Sequence, residues 1–139
     1  ILTARKINNS ISKYIADQTI KEMIKAGKII KGTNVLMLGV TFKENCPDTR
    51  NSKVVDLIQR LKGFGANIDV FDPCVDNKGT MRDFGIRVNN NLSEINYDKY
   101  DAVVYAVSHS EFVTIKANEF KESVIIDIKG MARNSHWSL

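Results

Sequence analysis

The stretch LGVTFKENCPDTRNS, Leu38 to Ser52, places Lys43, Glu44, Asp48 and Arg50 between a short apolar run and a serine able to open a helix. Cations beside a helix N-terminus suit an anion, because the first turn leaves backbone N–H groups free and carries the positive end of the helix dipole. Phe42 lies within this polar segment, where an aromatic ring covers a base or a neighbouring helix. His109, between two serines, and Lys129, before Gly130, follow two later apolar runs and add a proton donor and another cation. A phosphate or pyrophosphate is the natural occupant of such a set. The same residues have plainer readings. Asp48 and Arg50 can form an ordinary solvated pair. His109 is read first as a helix-cap neighbour and only second as a base, and Lys129 stands equally well as a strand-end lysine. Cys46 is the one thiol in the loop, and with no base placed against it the residue reads as a bystander rather than a nucleophile.

These groups need elements that hold them. From Thr3 to Ala26, Ile7, Ile11, Ile15, Met23 and Ile24 recur at helical spacing and predict a long amphipathic helix. NVLMLGV, Asn34 to Val40, is an unbroken apolar run of the kind a parallel strand shows when both its faces are buried. Val54, Leu57, Ile58 and Leu61 then give the stripe of a helix that Ser52 starts and Gly63 or Gly65 ends. ANIDVFDP reads as a second strand stopped by Pro73. A short helix over Asn77 to Phe84, a brief strand at Ile86 to Val88 and a helical turn from Ser93 follow. DAVVYAV (Asp101 to Val107) and SVIIDIKG (Ser123 to Gly130) are two more buried strands, with a helix beginning at Ser110 between them. Alternation of this kind predicts an α/β fold: a three-layer, doubly wound, Rossmann-like parallel sheet with helices on both faces, preceded by the long helix. Ligands of such sheets bind beyond the carboxyl ends of the strands, so that if the first and fourth long strands are neighbours, Lys43, Arg50 and His109 face one crevice.

Composition narrows the function classes. The 139 residues suit one domain, and 43% apolar with 26% charged residues is an ordinary globular balance. The net charge of +4 comes from scattered basic residues, which fit small anions better than a nucleic-acid groove. No apolar run approaches the roughly 20 residues a bilayer needs, no signal-peptide pattern opens the chain, and the expected location is the cytoplasm. Cys46 and Cys74 share no metal-type spacing and read as reduced thiols, with no metal site expected. Because Ile1 opens in what reads as mid-helix, the sequence is expected to be a piece of a longer protein. Gly39 alone follows the first strand, so neither GxGxxG nor GxxxxGK[ST] is present. Asp72 ends the second strand where a ribose-binding acid would sit, but without the glycines that signal is weak.

GVTFKENCPDTRNS resembles the G-x-x-F-K-x-x-x-x-D-x-R-x-S signature of the C-terminal domain of nucleotide-sugar 6-dehydrogenases, the UDP-glucose, UDP-N-acetylhexosamine and GDP-mannose enzymes. ARKINNSISKYI, DVFDPCVD, AVSHSEF and IDIKGM extend the resemblance over essentially the whole chain, with a leaning toward the UDP-N-acetylglucosamine and galactosamine enzymes of capsule and O-antigen pathways. The resemblance implies that Phe42 and Lys43 contact a UDP-sugar, that Arg50 reaches NAD bound on another domain, and that Lys129 meets the substrate where many relatives carry arginine. Arg133 is an alternative to Lys129, and Lys13 a weaker candidate on the helix. Residues 1–31 correspond to the end of an inter-domain, dimer-forming helix and 32–139 to the nucleotide-sugar-binding domain. The implied activity is oxidation of the sugar to its uronic acid with two NAD, in a homodimer. The family's NAD-binding domain and catalytic cysteine are not in this sequence, so the chain alone is expected to be inactive. A non-catalytic nucleotide-binding module and an oligomerisation module of the same fold are the alternatives.

Overall fold

A computed structural model of the chain describes residues 2–41, 43–49, 52–131 and 135–139, with the first helix described by its backbone alone up to residue 9. In chain order the elements are α1 (Leu2–Lys25), β1 (Asn34–Leu38), α2 (Lys53–Gly63), β2 (Asn67–Phe71), α3 (Asn77–Phe84), β3 (Val88–Asn89), β4 (Ala102–Tyr105), β5 (Val124–Asp127) and β6 (Trp137–Ser138), with 3-10 turns at Leu92–Glu94, Ser110–Thr114 and Ala117–Glu119. The six strands form one parallel sheet in the order β3-β2-β1-β4-β5-β6. This is the doubly wound α/β architecture the alternation predicts.

Period-two alternation sorts the strand residues into two cores. Val35 and Met37, Ala102 and Val104, and Val124 and Ile126 face the helices, whereas Leu36, Leu38, Val103, Tyr105 and Ile125 face the other way. All these side chains are buried, so the run VLML, Val35 to Leu38, carries no polar position and reads as continuous. β1 stops at Leu38 because Gly39 turns to a φ of 95°, which ends the strand earlier than the apolar run suggests.

On the first face α2 presents Val54, Leu57, Ile58 and Leu61, and α1 lies beside it, against β5 and β6. Ile15, Ala16, Ile20 and Met23 of α1 are buried there, and so are Ser12 and Thr19. The two hydroxyls are satisfied: Thr19 donates to the Ile15 carbonyl at 2.8 Å and Ser12 to that of Lys53 at 3.1 Å. The packed face keeps Ile11, Ile15 and Met23 of the apolar stripe and adds these hydroxyls, whereas Ile24, assigned to that stripe, is 59% exposed. Small side chains on the contact face let the two helices approach, and apolar periodicity does not register them.

The second face is covered by turns. Ile95, Tyr100, Phe112, Ile115 and Phe120 close the second core, and the helix expected from Ser110 is a five-residue 3-10 turn. Val113, Thr114 and Ile115 are β-branched in succession, which disfavours continuing an α-helix. Phe112 and Ile115 also stand three residues apart, the spacing that eclipses in a 3-10 helix. β6 was not expected from the sequence. Its two residues have no periodicity to reveal them, and it is held by pairing of Trp137 with Ile126 and an edge contact of Trp137 with Tyr14 of α1.

Candidate functional site

Strand order reverses between β1 and β4, and the loops leaving β1, β4 and β5 gather there. A cleft of about 320 Å³ opens at these strand ends, beneath α1 and against the first turn of α2. Ile11, Ile15, Val54 and Leu57 make an aliphatic wall, while Thr41 after β1 and Ile128 after β5 close its other side. Two cations line it, Lys53 at the first position of α2 and Lys129 after β5, and both are exposed. Ser52 caps α2 by accepting the Val54 N–H at 3.2 Å, and this fixes the helix start beside the cleft. An aliphatic wall with two solvated ammonium groups and a helix N-terminus suits a ligand with one flat or apolar part and one anionic part.

Of the residues singled out by sequence, Lys129 lines this cleft. Lys43 is exposed two positions beyond Thr41 and is not among the residues that line the cleft. Lys13 is an exposed residue of α1. Phe42, Arg50 and Arg133 lie outside the described residues. Lys53 was not singled out beforehand, although its place directly after the capping Ser52 is the signal that marks it.

His109 requires correction. It does not face the crevice; it is fully buried, and its ring donates no cap bond to the turn it begins. Nε2 lies 2.8 Å from Asp72 Oδ2 and 3.1 Å from Thr41 Oγ1, and Nδ1 is 2.9 Å from the backbone nitrogen of Asn45. Asp72 is corrected in the same way. With no exposed surface, it accepts the Val40 N–H at 2.8 Å and the Cys74 N–H at 2.8 Å besides its contact with His109, so it has no free oxygen face for a ribose. A polar pair inside a core needs every hydrogen bond made, and this one is satisfied by the backbone N–H groups of Val40 and Asn45 after β1 and of Cys74 after β2.

Cys74 completes the cluster, with its sulfur 3.5 Å from His109 Nδ1 and 3.6 Å from Glu111 Oε2. Burial, then the negative charges of Glu111 and Asp72, push this thiol up to about 11, so it is protonated at neutral pH and a poor nucleophile. Asp72, Cys74 and His109 offer ligand atoms within 4.8 Å of one another. The Asp72 and His109 atoms already hold backbone N–H groups or each other, so the trio is a closed hydrogen-bonded cluster and does not present an open coordination sphere.

Residues 36–134, which include most of β1 and all of β2 to β5, match the UDP-glucose/GDP-mannose dehydrogenase family, UDP binding domain. The chain belongs to this family. A UDP-N-acetyl-D-glucosamine 6-dehydrogenase of Salmonella typhi is 38% identical over 136 residues, covering 98% of this chain and 29% of that protein. A UDP-N-acetyl-D-glucosamine 6-dehydrogenase of Pseudomonas aeruginosa is 38% identical over 134 residues, covering 93% of this chain and 31% of that protein. Among solved structures, an NDP-N-acetyl-D-galactosaminuronic acid dehydrogenase from Methanosarcina mazei Go1 superimposes with a TM-score of 0.77 at 30% identity, over 91% of this chain and 26% of that one. The chain thus spans about 30% of the length of the curated relatives it matches, in their C-terminal portion. No helix among the described residues is long and apolar enough to cross a membrane.

Proposed function

We propose that this chain is the substrate-binding part of a nucleotide-sugar 6-dehydrogenase, which oxidises a UDP-N-acetylhexosamine to its uronic acid with two NAD for capsule or O-antigen polysaccharide synthesis. The observation that carries this reading is the coincidence of the UDP-binding family match with a cleft, lined by Lys53 and Lys129, at the reversal of strand order. In this reading Lys43 and Lys129 neutralise the diphosphate or hold the sugar, Phe42 lies near the uridine, and Arg50 reaches toward NAD on the other domain. Binding energy from the nucleotide, remote from the reacting carbon, positions C6 for hydride transfer. NAD and the catalytic cysteine belong to the remainder of the enzyme. The raised thiol of Cys74 supports this division, since it is unsuited to nucleophilic attack. The chain alone is therefore inactive. Residues 1–31 form the end of an inter-domain helix through which two copies pair, 32–139 form the nucleotide-sugar domain, and the enzyme works in the cytoplasm.

Lys43→Ala tests the reading. In the full-length enzyme the substitution should raise KM for the UDP-sugar about tenfold to a hundredfold, the loss of a charged hydrogen bond of about 1.5–3 kcal/mol, and leave the melting temperature within about 1 °C, as for other surface changes. Unchanged kinetics would remove Lys43 from the site and overturn the assignment of this loop to the UDP-sugar.

A further inference from the structure

Thr41 and Asn45, on either side of Lys43, are tied down by one buried imidazole. The Asn45 N–H points at His109 Nδ1 over 2.9 Å, so Nδ1 must be the unprotonated acceptor and the ring hydrogen must sit on Nε2. That hydrogen faces Asp72 Oδ2 at 2.8 Å and Thr41 Oγ1 at 3.1 Å. The Thr41 hydroxyl hydrogen is committed elsewhere, to the carbonyl of Lys43 at 2.9 Å, so its oxygen is an acceptor toward the ring. Asn45 adopts a left-handed φ of 56°, which asparagine tolerates better than most residues, and its side-chain oxygen accepts the Ser110 N–H at 3.0 Å. Lys43 therefore sits between two residues, Thr41 and Asn45, that are both bonded to His109, and its own carbonyl is held as well. The titratable groups around the ring are Asp72, Cys74 and Glu111, from the β2 end and the Ser110–Thr114 turn.

We propose that Asp72 and His109 are positioning residues: a buried latch, with the proton on Nε2, that fixes the backbone on both sides of Lys43 so that its ammonium group is presented to the diphosphate of a nucleotide-sugar. The latch rests on the UDP-sugar reading for its purpose, but its geometry is independent of the ligand. A charged loop that had to order itself on binding would lose affinity for each residue immobilised, and a loop ordered beforehand does not. The contacts also demand these particular groups. Asp72 meets three N–H groups and nothing that accepts, so an isosteric Asp72→Asn must set its NH2 against a donor. His109→Gln, by contrast, can keep both bonds, its amide nitrogen donating to Asp72 and its amide oxygen accepting from Asn45.

The test uses the full-length enzyme, with UDP-N-acetylglucosamine and NAD as the kinetic probes and amide hydrogen exchange over residues 43–49 as the structural one. His109→Ala and Asp72→Asn should each raise KM for the UDP-sugar about tenfold with kcat changed less than about threefold, and should speed exchange of the Asn45 amide at least tenfold. His109→Gln should restore both. A fall in melting temperature without a change in KM or Asn45 exchange, or failure of His109→Gln to differ from His109→Ala, would overturn the proposal. Should the substitutions prevent folding, imidazole nitrogen shifts of the unaltered protein decide it: an Nε2–H neutral ring supports the latch, and an Nδ1–H or doubly protonated ring ends it. If the unaltered enzyme does not use UDP-sugars at all, the functional reading fails, while Asn45 exchange still reports on the latch.

Discussion

A Cβ placed on Gly39 would stand 2.5 Å from the Cβ of Val107 and 2.9 Å from its Cγ2. Gly39 ends β1 and Val107 follows β4, so this contact is the point where the two strands that border the reversal leave the sheet side by side. The Ala106 and Val107 N–H groups both reach the Leu38 carbonyl, at 3.0 and 3.2 Å, which holds the chains at this separation. The single glycine after the first strand thus serves close backbone approach, as the backbone opposite it is a β4 exit and no phosphate is needed to explain it. Gly39→Ala combines a left-handed φ with an overlap against a buried valine, so it should cost about 2–5 kcal/mol, from roughly 1–2 for the conformation and 1–3 for overpacking. Urea denaturation of the two proteins measures this, and a difference below about 1 kcal/mol would mean that the β1 and β4 exits can separate freely.

Lys129 lines the cleft after β5 with an exposed ammonium group. A lysine offers a compact point charge and an arginine a planar fork able to grip two phosphate oxygens. If Lys129 meets the diphosphate, Lys129→Arg should hold or improve UDP affinity by up to about tenfold, whereas Lys129→Ala should weaken it by about tenfold, with both affinities falling as salt rises. Calorimetric titration with UDP at two ionic strengths separates these outcomes. Equal binding by all three proteins would take Lys129 out of the site.

The acid–base state of Cys74 gives a pH prediction. Its pKa is raised from 9.0 to about 11 by burial and by the neighbouring carboxylates of Glu111 and Asp72. A thiol raised in the folded state keeps its proton while the unfolded chain has already lost it, so the folded state binds more protons between pH 9 and 11, and stability falls with rising pH in that window. Tyr105, raised from 10.0 to about 12 by burial first, acts with the same sign at higher pH. At pH 7.5 iodoacetamide should label Cys74 at least tenfold more slowly than the same residue in the urea-unfolded chain, with the rate climbing toward pH 11. Labelling at the unfolded rate would show that the carboxylates and burial do not act on this sulfur.

The parts of the fold that sequence made legible are those in which one periodicity dominates. Val35 to Leu38 and Ala102 to Tyr105 are buried on both faces and carry no polar residue, and α2 has four buried aliphatics at helical spacing. β6 and the 3-10 cover of the second face are too short to have a period, and the contact face of α1 is built with Ser12, Ala16 and Thr19, residues that read as neutral. In the site, Lys129 was visible as a cation at a strand end. The pairing of Asp72 with His109 was not, because the residues are far apart in sequence and meet only once β1 lies between β2 and β4. A histidine between two serines looks like surface until the loop that buries it has been placed.

The share of α1 in the core leads to the last prediction. Met23 has no exposed surface and belongs to the same apolar cluster as Leu57, Ile58 and Leu61 of α2 and Val35 and Met37 of β1. A helix that merely linked two halves of an enzyme would pack loosely here, and truncating one of its side chains would change stability by a few tenths of a kcal/mol. Removing a fully buried methionine instead leaves a cavity as well as losing transfer energy, so Met23→Ala should cost about 2–5 kcal/mol. Ile24→Ala, one position on and more than half exposed, provides the control and should cost less than about 1 kcal/mol. Denaturant midpoints of both variants in this chain measure the contrast. A small effect at both positions would make α1 dispensable to the sheet, and the cleft would then have to keep its shape without the Ile11 and Ile15 wall that α1 contributes.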